Sequence, residues 1–144
     1  MTRKVMIAVD GSECANQAAL KGFELARQLD ASIALIYVID KGKSLGNIEA
    51  GTFPMEALEA MEKEAMEAVQ AIQAKAKGLR TELFTPEGDP KRDILNTAMD
   101  WGADMIIVGS RGHSALEKLI LGSVSEYLLH HSTIPVMVVP SLTS

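Results

Sequence analysis

Asp104-Met-Ile-Ile-Val-Gly-Ser-Arg-Gly112, then nine residues, then Gly122-Ser-Val-Ser-Glu126, is the stretch that decides the fold of this chain. Residues 104–108 form a short apolar, β-branched run, as a buried strand does. Glycines stand where that strand passes into a loop and where the loop passes into a helix. Lacking Cβ atoms, they let successive backbone N–H groups turn inward toward an anion. Ser123 reads as the N-cap of the following helix, with Glu126 three residues on completing a capping box. Such a helix points its positive end at whatever the loop holds. Strand, glycine loop and helix in this order have the composition of a phosphate cradle.

Outward from this stretch, strands and helices alternate to both ends of the chain. Lys4–Val9 reads as a strand, and Glu13–Leu29 as a helix capped by Ser12, with Ala18, Ala19, Gly22, Phe23, Ala26 and Leu29 at helical spacing. Ser32–Ile39 is a second strand. Residues 40–53, rich in Gly and Lys, form the one long loop and the candidate mobile element. A long helix follows from Pro54 to about Lys77, stopped by Gly78. Leu79–Thr85 is a third, more polar strand, placed near an edge. Asp89-Pro90 opens a short helix to Trp101. After the Met105–Val108 strand and the glycine loop come a helix over Ser123–His131 and a last strand, Pro135–Val139. This β-α-β-α-β-α-β-α-β order over a single domain, residues 1–144, specifies an open five-stranded parallel sheet with helices on both faces, a Rossmann-like α/β fold.

Apolar residues make up 47% of the chain and aromatics 4%, so the core is built from Ile, Leu, Val, Ala and Met. A net charge of −5 argues against DNA or RNA as the main partner. It leaves room for one nucleotide, because a nest of N–H groups holds phosphate even on an acidic protein. The single cysteine, Cys14, permits no intrachain disulfide and suits a reducing, cytoplasmic setting. No apolar run reaches the length of a signal segment or a membrane span, so direct membrane insertion is not expected.

Sheets of this kind bind ligands beyond the carboxyl ends of their strands, where the winding reverses. Asp10-Gly11-Ser12 ends the first strand and Gly109-Ser110-Arg111-Gly112 ends the fourth. If those strands are neighbours, a carboxylate faces the glycine loop across one crevice. A carboxylate there suits ribose hydroxyls or a metal riding on phosphates, and Arg111 suits phosphate charge. Other motifs dissolve on inspection. Lys41-Gly42-Lys43-Ser44 lacks the first glycine of a P-loop, since Tyr37 stands there. Ser110 lacks the glycine of a nucleophile elbow two residues before it, since Val108 stands there. Cys14 reads as a small core residue. His113, His130 and His131 lack metal-ligand spacing, and the glutamates between 56 and 67 read as a solvated helix face.

Together these features resemble the nucleotide-binding branch of the universal stress protein family. Its motif is Gly, two residues, Gly, nine residues, then Gly and Ser or Thr, and Gly109, Gly112, Gly122 and Ser123 fit it without a gap. Val9-Asp10-Gly11-Ser12, Gly88-Asp89-Pro90 and Ile134–Val139 match as well, so the resemblance spans essentially the whole chain. It implies an adenine nucleotide alpha hydrolase-like form of the fold. It also implies an ATP-binding stress-response protein, acting as a nucleotide-dependent dimeric sensor that modulates a protein partner such as a membrane transporter or kinase. By resemblance, Asp10 contacts the ribose or a Mg²⁺ bridging the phosphates, and the backbone of Val38 meets the adenine edge. Gly109, Arg111, Gly112, Gly122, Ser123 and Val124 then hold the triphosphate. The last strand, Pro135–Val139, pairs with its two-fold mate in a homodimer. The competing reading is enzymatic: a slow ATPase, or a self-phosphorylating protein with Ser123 or Ser125 as acceptor. A receiver domain would need clustered carboxylates where only Asp10 stands, and a flavin site would need aromatics in its loops.

Overall fold

The apolar runs become strands in the computed structural model, which describes residues 3–44, 55–111 and 121–141. In chain order the elements are β1 (Lys4–Ala8), α1 (Glu13–Leu29), β2 (Ser32–Ile36), the single turn α2 (Lys41–Ser44), α3 (Met55–Gln73), β3 (Thr81–Phe84), α4 (Pro90–Trp101), β4 (Met105–Gly109), α5 (Ser123–His131) and β5 (Val136–Val139). The five strands form one sheet in the order β3-β2-β1-β4-β5, and every pair is parallel. β1 is central, with Val5 opposite Ile33 on one side and Met105 on the other.

The period-two alternation of the strands divides the core in two. Val5, Ile7, Ile33, Leu35 and Ile107 pack with Phe23 and Ala26 of α1 and with Val69 and Ile72 of α3. Met6, Ala34, Ile36, Ile106 and Val108 pack on the other face with Ile94 and Leu95 of α4 and Leu128 of α5. Burying each large aliphatic side chain contributes about 1.5–3 kcal/mol. Gly22, in the middle of α1, lets that helix lie close on the sheet: a Cβ there would sit 2.5 Å from Ile7 Cδ1 and 3.1 Å from Ile107 Cδ1.

Local signals set most of the helix ends. Ser12 caps α1 by accepting from the Ala15 N–H at 3.2 Å, and Asp89 caps α4 by accepting from the Lys91 N–H at 3.0 Å. Gly102 ends α4 in the left-handed region at φ 84°. At the far pole of the sheet the exposed carboxylate of Asp104 accepts from the N–H groups of Arg3 at 2.8 Å and Lys4 at 3.0 Å. These bonds hold it below the usual carboxylate range. Lys4 also lies over the Trp101 ring, whose indole N–H donates to Glu82.

Several expected boundaries move. The regular pairing of β2 stops at Ile36, because beyond it the chain turns its bonds toward the β3–α4 connection: Ile39 pairs with Glu87 as an isolated bridge. The loop of residues 40–53 opens with the helical turn α2, and residues 45–54, including the expected helix start at Pro54, lie outside the described residues. α3 ends at Gln73 rather than near Lys77. Arg27 of α1 then donates to the carbonyls of Lys75 and Lys77, which holds the connection in turns before Gly78. The short polar β3 is an edge strand, as its composition indicated.

Candidate functional site

The winding reverses between β1 and β4, whose following helices α1 and α5 lie on opposite faces of the sheet. A cavity of about 920 Å³ opens beyond the carboxyl ends of these strands. Asp10, Val38, Gly109, Arg111, Gly122, Ser123 and Val124 all line it, whereas Gly112 and His113 lie outside the described residues. Seven positions spread over more than a hundred residues of sequence therefore meet at one crevice.

The β1 side is set by a tight turn. Gly11 takes φ 83°, and Asp10 Oδ1 accepts from the Ser12 N–H at 2.9 Å, which fixes the carboxylate at the cavity wall. Just beyond β2, the N–H groups of Tyr37 and Ile39 donate to the carbonyls of Phe84 and Pro86 on the β3 side. Strand alternation therefore turns the N–H and C=O of Val38 the other way, toward the crevice beyond the end of β1. One donor and one acceptor side by side can read the edge of a heterocyclic base.

The β4 side departs from the sequence reading in two ways. Gly109 is needed for packing: a Cβ there would lie 2.9 Å from Cys14 Sγ and 3.2 Å from the Cys14 carbonyl oxygen. The buried Cys14 is thus a core residue, as expected, and it dictates the glycine. Ser123 is not the N-cap. Gly122, extended at φ −65° and ψ 160°, holds that place with its carbonyl accepting from Glu126, so Ser123 falls one position inside α5 and no capping box forms. The start of α5 consequently has no side-chain cap, unlike α1 and α4. The first-turn amides of a helix have no intrahelical partner, and here they border the cavity. The two candidate acceptor serines also separate: Ser123 is exposed, while Ser125 is 1% exposed with its hydroxyl donating to the Gly122 and Ser110 carbonyls.

Several cavity residues escaped sequence reasoning, among them Tyr37, Lys41, Met61, Glu64 and Glu87. Tyr37 neighbours Val38, so its place at the strand end was a usable signal. Met61 and Glu64 reach the crevice only because α3 packs along β2, which no local pattern states. Burial, with the charges of Glu64 and Asp10, pushes the Tyr37 hydroxyl above its ordinary value. At the rim Lys41 Nζ stands 3.0 Å from Glu87 Oε2 and holds that carboxyl below its ordinary value, while the hydrogen bond to Glu87 pushes Glu62 up.

Among the described residues no three His, Cys, Asp or Glu side chains gather as a metal centre. Asp10 alone fits Mg²⁺ only where phosphate oxygens and water complete the octahedron, which is how that ion commonly binds. No helix among the described residues is long and apolar enough to cross a membrane.

Comparison with known proteins agrees with this fold. The model of the universal stress protein family matches residues 1–140. Universal stress protein MJ0531 of Methanocaldococcus jannaschii is 31% identical over 138 residues, covering 95% of this chain and 81% of the relative. Universal stress protein YxiE of Bacillus subtilis is 31% identical over 147 residues, covering 96% and 99%. The solved structure of the protein MJ0577 superposes with a TM-score of 0.83 at 31% identity, covering 100% of this chain and 99% of that one. Two more distant structures share the fold: a universal stress protein in complex with cAMP (TM-score 0.68, 22% identity) and one from Archaeoglobus fulgidus in complex with dAMP (TM-score 0.65, 20% identity), with this chain covered to 96% in both and the two proteins to 97%.

Proposed function

Because this chain belongs to the universal stress protein family, we propose that its crevice binds ATP with Mg²⁺ and that the loaded protein is a cytoplasmic, dimeric regulator of a protein partner. The observation that carries this reading is the start of α5. A glycine cap, which offers no side chain to accept from them, leaves the first-turn amides facing a cavity that also holds Arg111 and Asp10. Helix N-termini of this kind bind phosphate.

The remaining groups take their parts from position. The N–H and C=O of Val38 meet the edge of the base, and the Asp10 carboxylate meets the ribose or the ion. Gly122, Ser123 and Val124 offer backbone amides to the phosphates, with Arg111 as counter-charge. Asp10 would hold Mg²⁺ together with the phosphates, and the ion would supply charge neutralisation there. A cavity of about 920 Å³ is ample for a nucleotide, since ligand pockets span roughly 300–1,000 Å³. The same fold hosts cAMP in one distant relative and dAMP in another. β5 is an edge strand, and pairing it with its counterpart in a second copy would cover its open ladder. Occupancy of the crevice would then shift the surface presented to a partner.

The test is to denature the purified protein and identify any released nucleotide by mass spectrometry, alongside Gly122→Val and calorimetry with ATP–Mg²⁺. Near-stoichiometric ATP, or calorimetric binding, that Gly122→Val abolishes is the expected result. A wild-type protein that carries no nucleotide and binds none would refute the reading. Sedimentation of the same samples checks the dimer, and a monomer at micromolar concentration would count against it.

A further inference from the structure

We propose that Ser125 is a positioning residue for the phosphate end of the crevice, a role that rests on the nucleotide reading above and extends it to a residue that touches no ligand in that reading. Its hydroxyl is buried, with the residue 1% exposed, and shares its proton between the Gly122 carbonyl at 3.0 Å and the Ser110 carbonyl at 3.3 Å. The Ser110 carbonyl also accepts from the Gly122 N–H at 2.7 Å, and the Ser110 N–H donates to Val139 of β5 at 2.9 Å. One residue at the exit of β4, Ser110, is therefore fastened to the sheet through its N–H and to the start of α5 through its C=O.

Two straps hold more than one does. The bond from the Gly122 N–H fixes the distance between the two ends of the glycine loop but leaves α5 free to tilt about it. The Ser125 strap joins the same carbonyl from three residues further along the helix, about 4.5 Å up its axis, and removes that freedom. What it fixes is the direction of the Ser123 and Val124 amides, the groups that would meet phosphate. Ser125 borders the cavity, but its hydroxyl is spent on the two carbonyls, so it acts through its neighbours. Val38, which serves the base, lies two residues beyond β2, and Asp10, which serves the ribose, lies two residues beyond β1, both outside this neck.

The two ends of a ligand should thus respond differently to Ser125→Ala. Calorimetry on the full-length protein compares wild type with Ser125→Ala, using ATP–Mg²⁺ and adenosine as the two probes. The ATP Kd is expected to rise about tenfold while the adenosine Kd stays within twofold. Hydrogen exchange of the Gly122 amide, followed by NMR without ligand, is expected to accelerate in the variant while core amides of β1 keep their protection. An equal loss for both ligands, or no loss for ATP, overturns the positioning role. Wild-type protein that binds neither probe refutes the nucleotide reading and the positioning role with it. Unchanged Gly122 exchange in Ser125→Ala overturns the strap itself, whatever the ligands do.

Discussion

Gly109→Ala tests whether the crevice is built as its geometry indicates, because the glycine motif offers this residue to a ligand while the fold uses it for packing. The added Cβ would lie 2.9 Å from Cys14 Sγ, 3.2 Å from the Cys14 carbonyl oxygen and 3.3 Å from its carbonyl carbon. The sulfur belongs to a buried side chain with little room to swing, and the other two atoms belong to the first turn of α1. That turn must move by a few tenths of an ångström, and overpacking of this kind costs about 1–3 kcal/mol. With two of the three contacts on backbone, a loss of about 2 kcal/mol is expected. In a chain this long that corresponds to a fall in Tm of roughly 6–8 °C. Urea unfolding of wild type, Gly109→Ala, Cys14→Ala and the double variant measures it, with the m-value as a check on two-state behaviour. Cys14→Ala removes the sulfur contact alone, so the Gly109→Ala penalty should shrink by about half in that background, a coupling of roughly 1 kcal/mol. A Gly109→Ala protein as stable as wild type would refute the packing account, as would a penalty indifferent to Cys14→Ala.

Three further outcomes follow from geometry already described. Gly22→Ala is expected to destabilise by about 1 kcal/mol, because crowding against the Ile7 and Ile107 Cδ1 atoms outweighs the gain in helix propensity. In an Ile7→Val background, which lacks the nearest of those atoms, the same change should be neutral or stabilising by chemical denaturation. Asp104→Ala should cost about 1 kcal/mol at pH 7, a low value for two bonds to a carboxylate because the group is exposed. Its folded-state pKa is depressed, so this stability is present above the ordinary carboxylate value and lost as pH falls through the folded one. The gap between wild type and variant should therefore narrow as pH falls below the ordinary carboxylate value in urea titrations. Tyr37 titrates above its ordinary value, so its contribution is present below pH ~10 and lost as pH rises through the folded pKa. In Tyr37→Phe the late tyrosinate absorbance component should vanish, and stability should fall less steeply in the same alkaline range.

The parallel sheet was legible because most strands are short apolar runs and two of the helices carry their own side-chain caps, at Ser12 and Asp89. The switch point was legible too, since Asp10 and Gly109 end the strands that flank it. The cap of α5 was misread for a local reason. Gly122 and Ser123 are both good cap residues, and only the bond from the Gly122 N–H to Ser110 decides between them. The ends of β2 and α3 were misplaced because long-range partners, Glu87 for Ile39 and Arg27 for the carbonyls of Lys75 and Lys77, override local preference. The α3 wall of the crevice lay beyond sequence altogether, because helix orientation against a sheet is a property of the whole core.

The place of β1 at the middle of the sheet has a consequence for how the molecule is made. Its partner on one side, β2, follows within thirty residues, but Val5 waits for Met105 on the other. During synthesis the amino-terminal strands emerge first, with one long apolar ladder bare until the second half of the chain arrives. Such an edge invites misassociation. The crevice draws Asp10 and Val38 from the early half and Gly109, Arg111, Gly122, Ser123 and Val124 from the late half. A ligand seated there would stitch the two halves together, so it would stabilise the chain only after the late half has docked and would leave the emerging chain unprotected.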